Sequence, residues 1–155
     1  MSGPRTSTGL SALAILLIGG CSESPHVRLP AEALDHAIGG AIGDPSTCVV
    51  LVDPATHKVA YRYGAAFNCV RGLPACDRAG TMSANQAVEL AGVPGGRAVS
   101  CDSNADGSRQ VGWAEGRATT SKGVFLYSVV MEGERALPGH EIAARLEGAI
   151  KHAGL

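Results

Sequence analysis

Hydrophobic spacing sets out a simple order of elements. Leu34, Ile38 and Ile42 recur every four residues, with Ala31, Ala37 and Ala41 alongside, and predict a helix after Pro30. Cys48-Val49-Val50-Leu51-Val52 is apolar on both faces, as in a strand covered from two sides. Asp53 to His57 carries turn chemistry, and Lys58 to Tyr63 returns as a strand with Val59, Tyr61 and Tyr63 on one face. Ser83 is placed to cap a short helix, with Gln86 as its reciprocal partner and Gly92 at its end. Arg97 to Cys101 predicts a strand, Asp106-Gly107 a hairpin turn, and Ser108 to Glu115 the returning strand, with Val111 and Trp113 to one side. Val124 to Met131 is the most strand-like run, and Glu132 to Gly139 has the character of a polar loop. Ile142, Leu146, Ile150 and Ala153 mark one face of a last helix. The order α-β-β-α-β-β-β-α predicts an α+β domain. Its economical form is a single five-stranded antiparallel sheet, with the N- and C-terminal helices packed on one face.

Upstream of these elements, Leu10 to Ile18 is apolar apart from Ser11, and Arg5 is the one charged side chain before Cys21. The stretch is far shorter than the ~17–25 residues that cross a bilayer as a helix. Ile18-Gly19-Gly20-Cys21 resembles the lipobox of bacterial lipoprotein precursors. That resemblance covers the first 21 residues. It implies a signal peptide over 1–20, a lipid-bearing Cys21, a tether over 21–30 and one domain over 31–155. The implied location is the cell membrane or outer membrane, with the domain outside the cytoplasm. Ser22 replaces the aspartate of the inner-membrane retention signal, which favours the outer membrane where the cell has one. The implied partners are the membrane, through the anchor, and an envelope protein or the cell wall. A tether of this length reaches at most about 30 Å.

Charge and composition narrow the partners further. Thirteen basic residues stand against 14 acidic ones, so no basic face for nucleic acid is expected. Aromatic residues make up 4% of the chain, too few for a stacking platform, and no cofactor is expected. Apart from Cys21 there are four cysteines, Cys48, Cys69, Cys76 and Cys101, an even number that predicts two disulfides in an exported chain. Three pairings are open. Joining Cys69 to Cys76 and Cys48 to Cys101 is preferred, because Gly72 and Pro74 favour closing the short loop.

Catalytic patterns are incomplete. The segments Asp53–Lys58 and Val111–Gly116, followed by the Val124 strand, resemble parts of the α/β half of serine β-lactamases and penicillin-binding proteins. Those families run helix, two strands, helical insert, three strands, helix. Cys76 stands where they place a nucleophile, but it is followed by Asp77, Arg78 and Ala79, with no lysine three residues on. Ser83-Ala84-Asn85 echoes their second motif, and Lys-Thr-Gly is missing. Without an activating base the nucleophile stays protonated, so a binding or scaffolding role is expected in place of catalysis. Element order alone also fits roadblock-like and profilin-like binding modules.

His140-Glu141 opens a zinc-protease pattern that Ala144 breaks. Glu132-Gly133-Glu134-Arg135 is taken as a solvated charged loop. Asp102, Asn104 and Asp106, followed by Gly107, match the first half of a calcium loop and are weak metal candidates. Trp113 holds the position of the closing glutamate and strands flank the segment, so a plain hairpin is expected.

Overall fold

A computed structural model describes Gly3 and residues 27–155. Apart from Gly3, the expected signal peptide lies outside the described residues, as do Cys21 and the first part of the tether. Helix α1 (Ala31–Ile42) leads into strand β1 (Cys48–Val52) and its antiparallel neighbour β2 (Val59–Tyr63). An insert follows, made of α2 (Ala66–Val70), the two-residue strands β3 (Leu73–Pro74) and β4 (Thr81–Met82), α3 (Ala84–Ala87) and a 3-10 turn, Val88–Gly92. The chain then enters β5 (Arg97–Asp102), β6 (Gln110–Thr120) and β7 (Gly123–Gly133), and ends in α4 (Gly139–His152).

The main sheet has the order β2-β1-β7-β6-β5, and every neighbouring pair is antiparallel. β1 is an interior strand buried at all five positions, which explains its unbroken apolar run. One face carries α1 and α4. Leu34, Ile38 and Ile42 from α1 and Ile142, Leu146 and Ile150 from α4 pack with Val49, Leu51, Phe125, Val129 and Met131. The α+β class, the single five-stranded sheet and the terminal helices are therefore as the sequence predicts. α4 starts hard against the sheet. A Cβ on Gly112 would lie 2.1 Å from the Leu137 carbonyl oxygen, and one on Gly139 would lie 2.2 Å from that of Trp113. Neither position has room for a side chain.

The insert covers the opposite face. Trp113, fully buried, stands among Val111, Val130, Leu73, Met82 and Ala87, and its Nε1–H donates to the Pro74 carbonyl at 2.8 Å. Ser83 and Gln86 form the expected capping box at the start of α3.

Two strands outrun their sequence signal. β6 continues past Glu115 to Thr120, and β7 starts one residue before Val124 and ends two after Met131. In Arg117-Ala118-Thr119-Thr120 only Ala118 is buried, so the alternation is present but carried by one methyl group. The turn back uses Gly123 at φ 124°.

Candidate functional site

The strongest polar cluster gathers at one end of the sheet, around a residue expected in a solvated loop. That expectation is corrected for Glu132. It lies inside β7, 6% exposed, on the same face as Ser128 and Val130. Its Oε1 accepts from Ser103 Oγ and Arg109 Nε, both at 2.8 Å, and its Oε2 accepts from Arg109 Nη2 at 2.8 Å. Arg71 Nη1 stands 3.3 Å from the same Oε2. The bidentate Arg109 guanidinium, more than any other group, holds the Glu132 carboxyl down at about 2.

A single buried carboxylate thus joins the insert, the β5–β6 hairpin and the end of β7. The α1–β1 turn closes the cluster. Asp44 Oδ1 accepts from Ser46 N and Ser46 Oγ, Ser46 Oγ accepts from Glu132 N at 3.3 Å, and Asn68 Nδ2 donates to the Pro45 carbonyl at 2.7 Å. Between these segments lies an open cavity of about 400 Å³, bordered by Arg71, Arg109 and Arg135 among its charged groups. Nε and Nη2 of Arg71 are buried without a partner among the described residues. Native proteins rarely leave a buried donor unsatisfied, and such groups mark places where water or a ligand completes the bonding.

A second polar cluster clamps the insert to the edge of the sheet. Arg97 Nε and Nη2 donate to the two oxygens of Asp77 at 2.8 Å each, Nη1 donates to Glu115 Oε2 at 2.8 Å, and Nη2 also reaches the Ala75 carbonyl. Glu115 is 1% exposed. Among the described residues its Oε1 has no partner, nor has Oγ of Ser128, its cross-strand neighbour in β7. Desolvation pushes the Glu115 carboxyl up to about 7, against the pull of Arg97.

The sign of the consequence follows. Folded Glu115 holds its proton more tightly than the unfolded chain does. Its contribution to stability is complete below the ordinary value of 4.5 and is lost as pH rises through about 7. Urea midpoints of the parent are expected to fall between pH 5 and pH 8, and those of Glu115→Gln to fall distinctly less. Equal slopes would contradict this.

The four cysteines named from sequence form two disulfides, but the preferred pairing is corrected. Cys48 is joined to Cys69 and Cys76 to Cys101, with Cα–Cα separations of 5.3 and 5.4 Å. Cys69 faces inward from α2, buried against the start of β1, whereas Cys76 lies beyond β3, next to β5. The helix and the β3 strand point the two ends of the expected short loop at different strands. The sequence did not signal α2, β3 or β4, because each is too short to show periodicity.

Other sequence candidates fall into structural roles. Cys76 carries no thiol in its disulfide. Ser83 is buried, and its hydroxyl exchanges hydrogen bonds with Gln86. His140 and Glu141 occupy the first turn of α4, where Glu141 pairs with Arg145.

Asp102 ends β5, while Asn104 and Asp106 lie in the hairpin loop. Asn104 Oδ1 accepts from Arg109 N and Asp106 Oδ1 from Ser108 N, at 3.0 and 2.9 Å, and Gly107 takes φ 71°. These oxygens are directed at loop amides, and among the described residues no group of three or more acidic, cysteine or histidine side chains could hold a metal ion. Isothermal titration with calcium is expected to give no saturable heat up to millimolar concentration. A saturable signal abolished by Asp106→Ala would overturn the hairpin assignment.

Comparison with family models, curated proteins and solved structures returned no match. Among the described residues no helix is long and apolar enough to cross a membrane.

Proposed function

We propose that the chain is a lipid-anchored protein of the cell envelope whose single domain serves binding or scaffolding and not catalysis. The observation that carries the binding role is Arg71, a guanidinium with two buried nitrogens unpartnered among the described residues, beside an open polar cavity. The framework around it is held by two disulfides and by Glu132, so the cavity is shaped before any partner arrives. The anchor rests on the lipobox resemblance at Cys21, which would keep the domain at the membrane surface.

The test combines location and contact. Cys21→Ser should leave the chain unprocessed or released from the membrane fraction, and a photo-crosslinking residue at exposed Arg135 should capture envelope material. Arg71→Leu should reduce that capture while the fold, followed by circular dichroism, is retained. Capture unchanged by Arg71→Leu would remove the pocket from the proposal, and palmitate incorporation equal in Cys21→Ser would remove the anchor.

A second reading, a relative of the penicillin-recognising serine hydrolases, is favoured by the run of helix, two strands, insert, three strands and helix. Fluorescent β-lactam labelling separates the two. A covalent band lost on mutation of Cys76 or Ser83 would favour the hydrolase.

A further inference from the structure

The insert does not cover its whole face of the sheet. Val59 of β2 pairs with Val52 of β1, and Val52 pairs with Leu126 of β7. The three form a cross-strand apolar row. Val52 is 5% exposed, yet Val59, at the end of the row, is 48% exposed. Val88 of the 3-10 turn faces them, and the space between is a cleft of about 590 Å³.

One end of this cleft is polar. Arg62 makes no ion pair among the described residues, and its Nη2 makes a single hydrogen bond, a long one of 3.5 Å to Asn85 Oδ1. With its Oδ1 on Arg62, the Asn85 carboxamide has its NH₂ group as a second donor at this end of the cleft. An apolar floor with two donor groups at one end favours a molecule with an apolar body and an anionic head. The cleft's single carboxylate, Glu89, sits on the 3-10 turn, and His57, held at φ 55°, sits on the β1–β2 turn.

We propose that this cleft binds an aliphatic carboxylate, its chain along Val59, Val52 and Leu126 and its head at Arg62 and Asn85. The site is separate from the Arg71 cavity, and neither proposal depends on the other. The occupant is a single small molecule: the floor is three side chains long, and Val88 closes over it.

The experiment is a nuclear magnetic resonance titration of the full chain with labelled valine and leucine methyl groups. Decanoate is the probe, kept below its micelle-forming concentration, and decyltrimethylammonium is the head-group control. Decanoate is expected to shift the Val52, Val59 and Leu126 methyl signals saturably. Arg62→Gln should weaken decanoate about tenfold, the scale of one charge-assisted contact, and leave the ammonium control unchanged.

Val59→Asp should remove binding of both. Arg62 and Val59 are exposed, so both variants should keep the parent spectrum at Trp113. Absence of saturable shifts, or affinity unchanged in both variants, would overturn the proposal. So would methyl shifts that grow with protein concentration alone and vanish in Val59→Asp, since a second copy of the chain would then be the occupant.

Discussion

Trp113→Ala is expected to lower the stability of the domain by about 4 kcal/mol, the scale for removing a fully buried indole from a packed interior. Trp113 is 0% exposed and contributes to two layers, rooted in β6 and hydrogen-bonded to Pro74 in the insert. Removing it opens a void beneath the insert and leaves the Pro74 carbonyl without its donor. For a domain with a typical total of ~5–15 kcal/mol, that is about a quarter or more of the margin. Trp113→Phe retains most of the apolar contact and loses the hydrogen bond, so a cost of about 1–2 kcal/mol is expected. Urea unfolding followed by far-ultraviolet circular dichroism measures both. A loss under about 1 kcal/mol for the alanine variant would mean that the insert is held mainly by its disulfides and the Arg97 clamp.

The two disulfides are expected to be equal in thermodynamic weight and unequal in reactivity. Their sequence separations are 21 and 25, so loop closure assigns each about 3 kcal/mol. Replacing Cys48 and Cys69 together by alanine should cost that amount, and so should replacing Cys76 and Cys101. Accessibility separates them. Cys48 and Cys69 are 0% exposed, while Cys76 and Cys101 are half-buried and Cys76 is held at φ 70°, a left-handed conformation that costs a residue with a Cβ. Under mild reduction of the folded protein, alkylation should appear first at Cys76 and Cys101. First labelling at Cys48 or Cys69, found by peptide mapping, would reverse that order.

What could be read from the sequence followed the length of each signal. Helices α1 and α4 and strand β1 carry repeated apolar positions, and the structure places them where the pattern predicts. β6 beyond Glu115 carries little signal, because its buried residues there are Gly116, which has no side chain, and Ala118. Glu132 is illegible by charge alone, since a glutamate in a polar run points to solvent. The signal that could have found it is the period of two through Ser128, Val130 and Glu132, which keeps Glu132 on the insert-facing side of β7. Its partners Arg71, Ser103 and Arg109 are spread over the chain, and no local pattern links them. The cysteine pairing failed for a similar reason: proximity in sequence favoured Cys69 with Cys76, and the direction of α2 decided otherwise.

The place of β7 in the sheet also governs the order of assembly. β6 and β7 are joined by a tight turn and can zip from Thr120↔Gly123 outward as a local event. β1 must then find β7 from across β2, the whole insert, β5 and β6, with Val49 opposite Val129. Closing so long a loop is slow compared with forming a hairpin. β1 can pair early with β2, but it therefore gains its second strand neighbour only after nearly the entire chain has been made available. Until then the β7-facing edge of apolar β1 stays open, in need of protection while it waits.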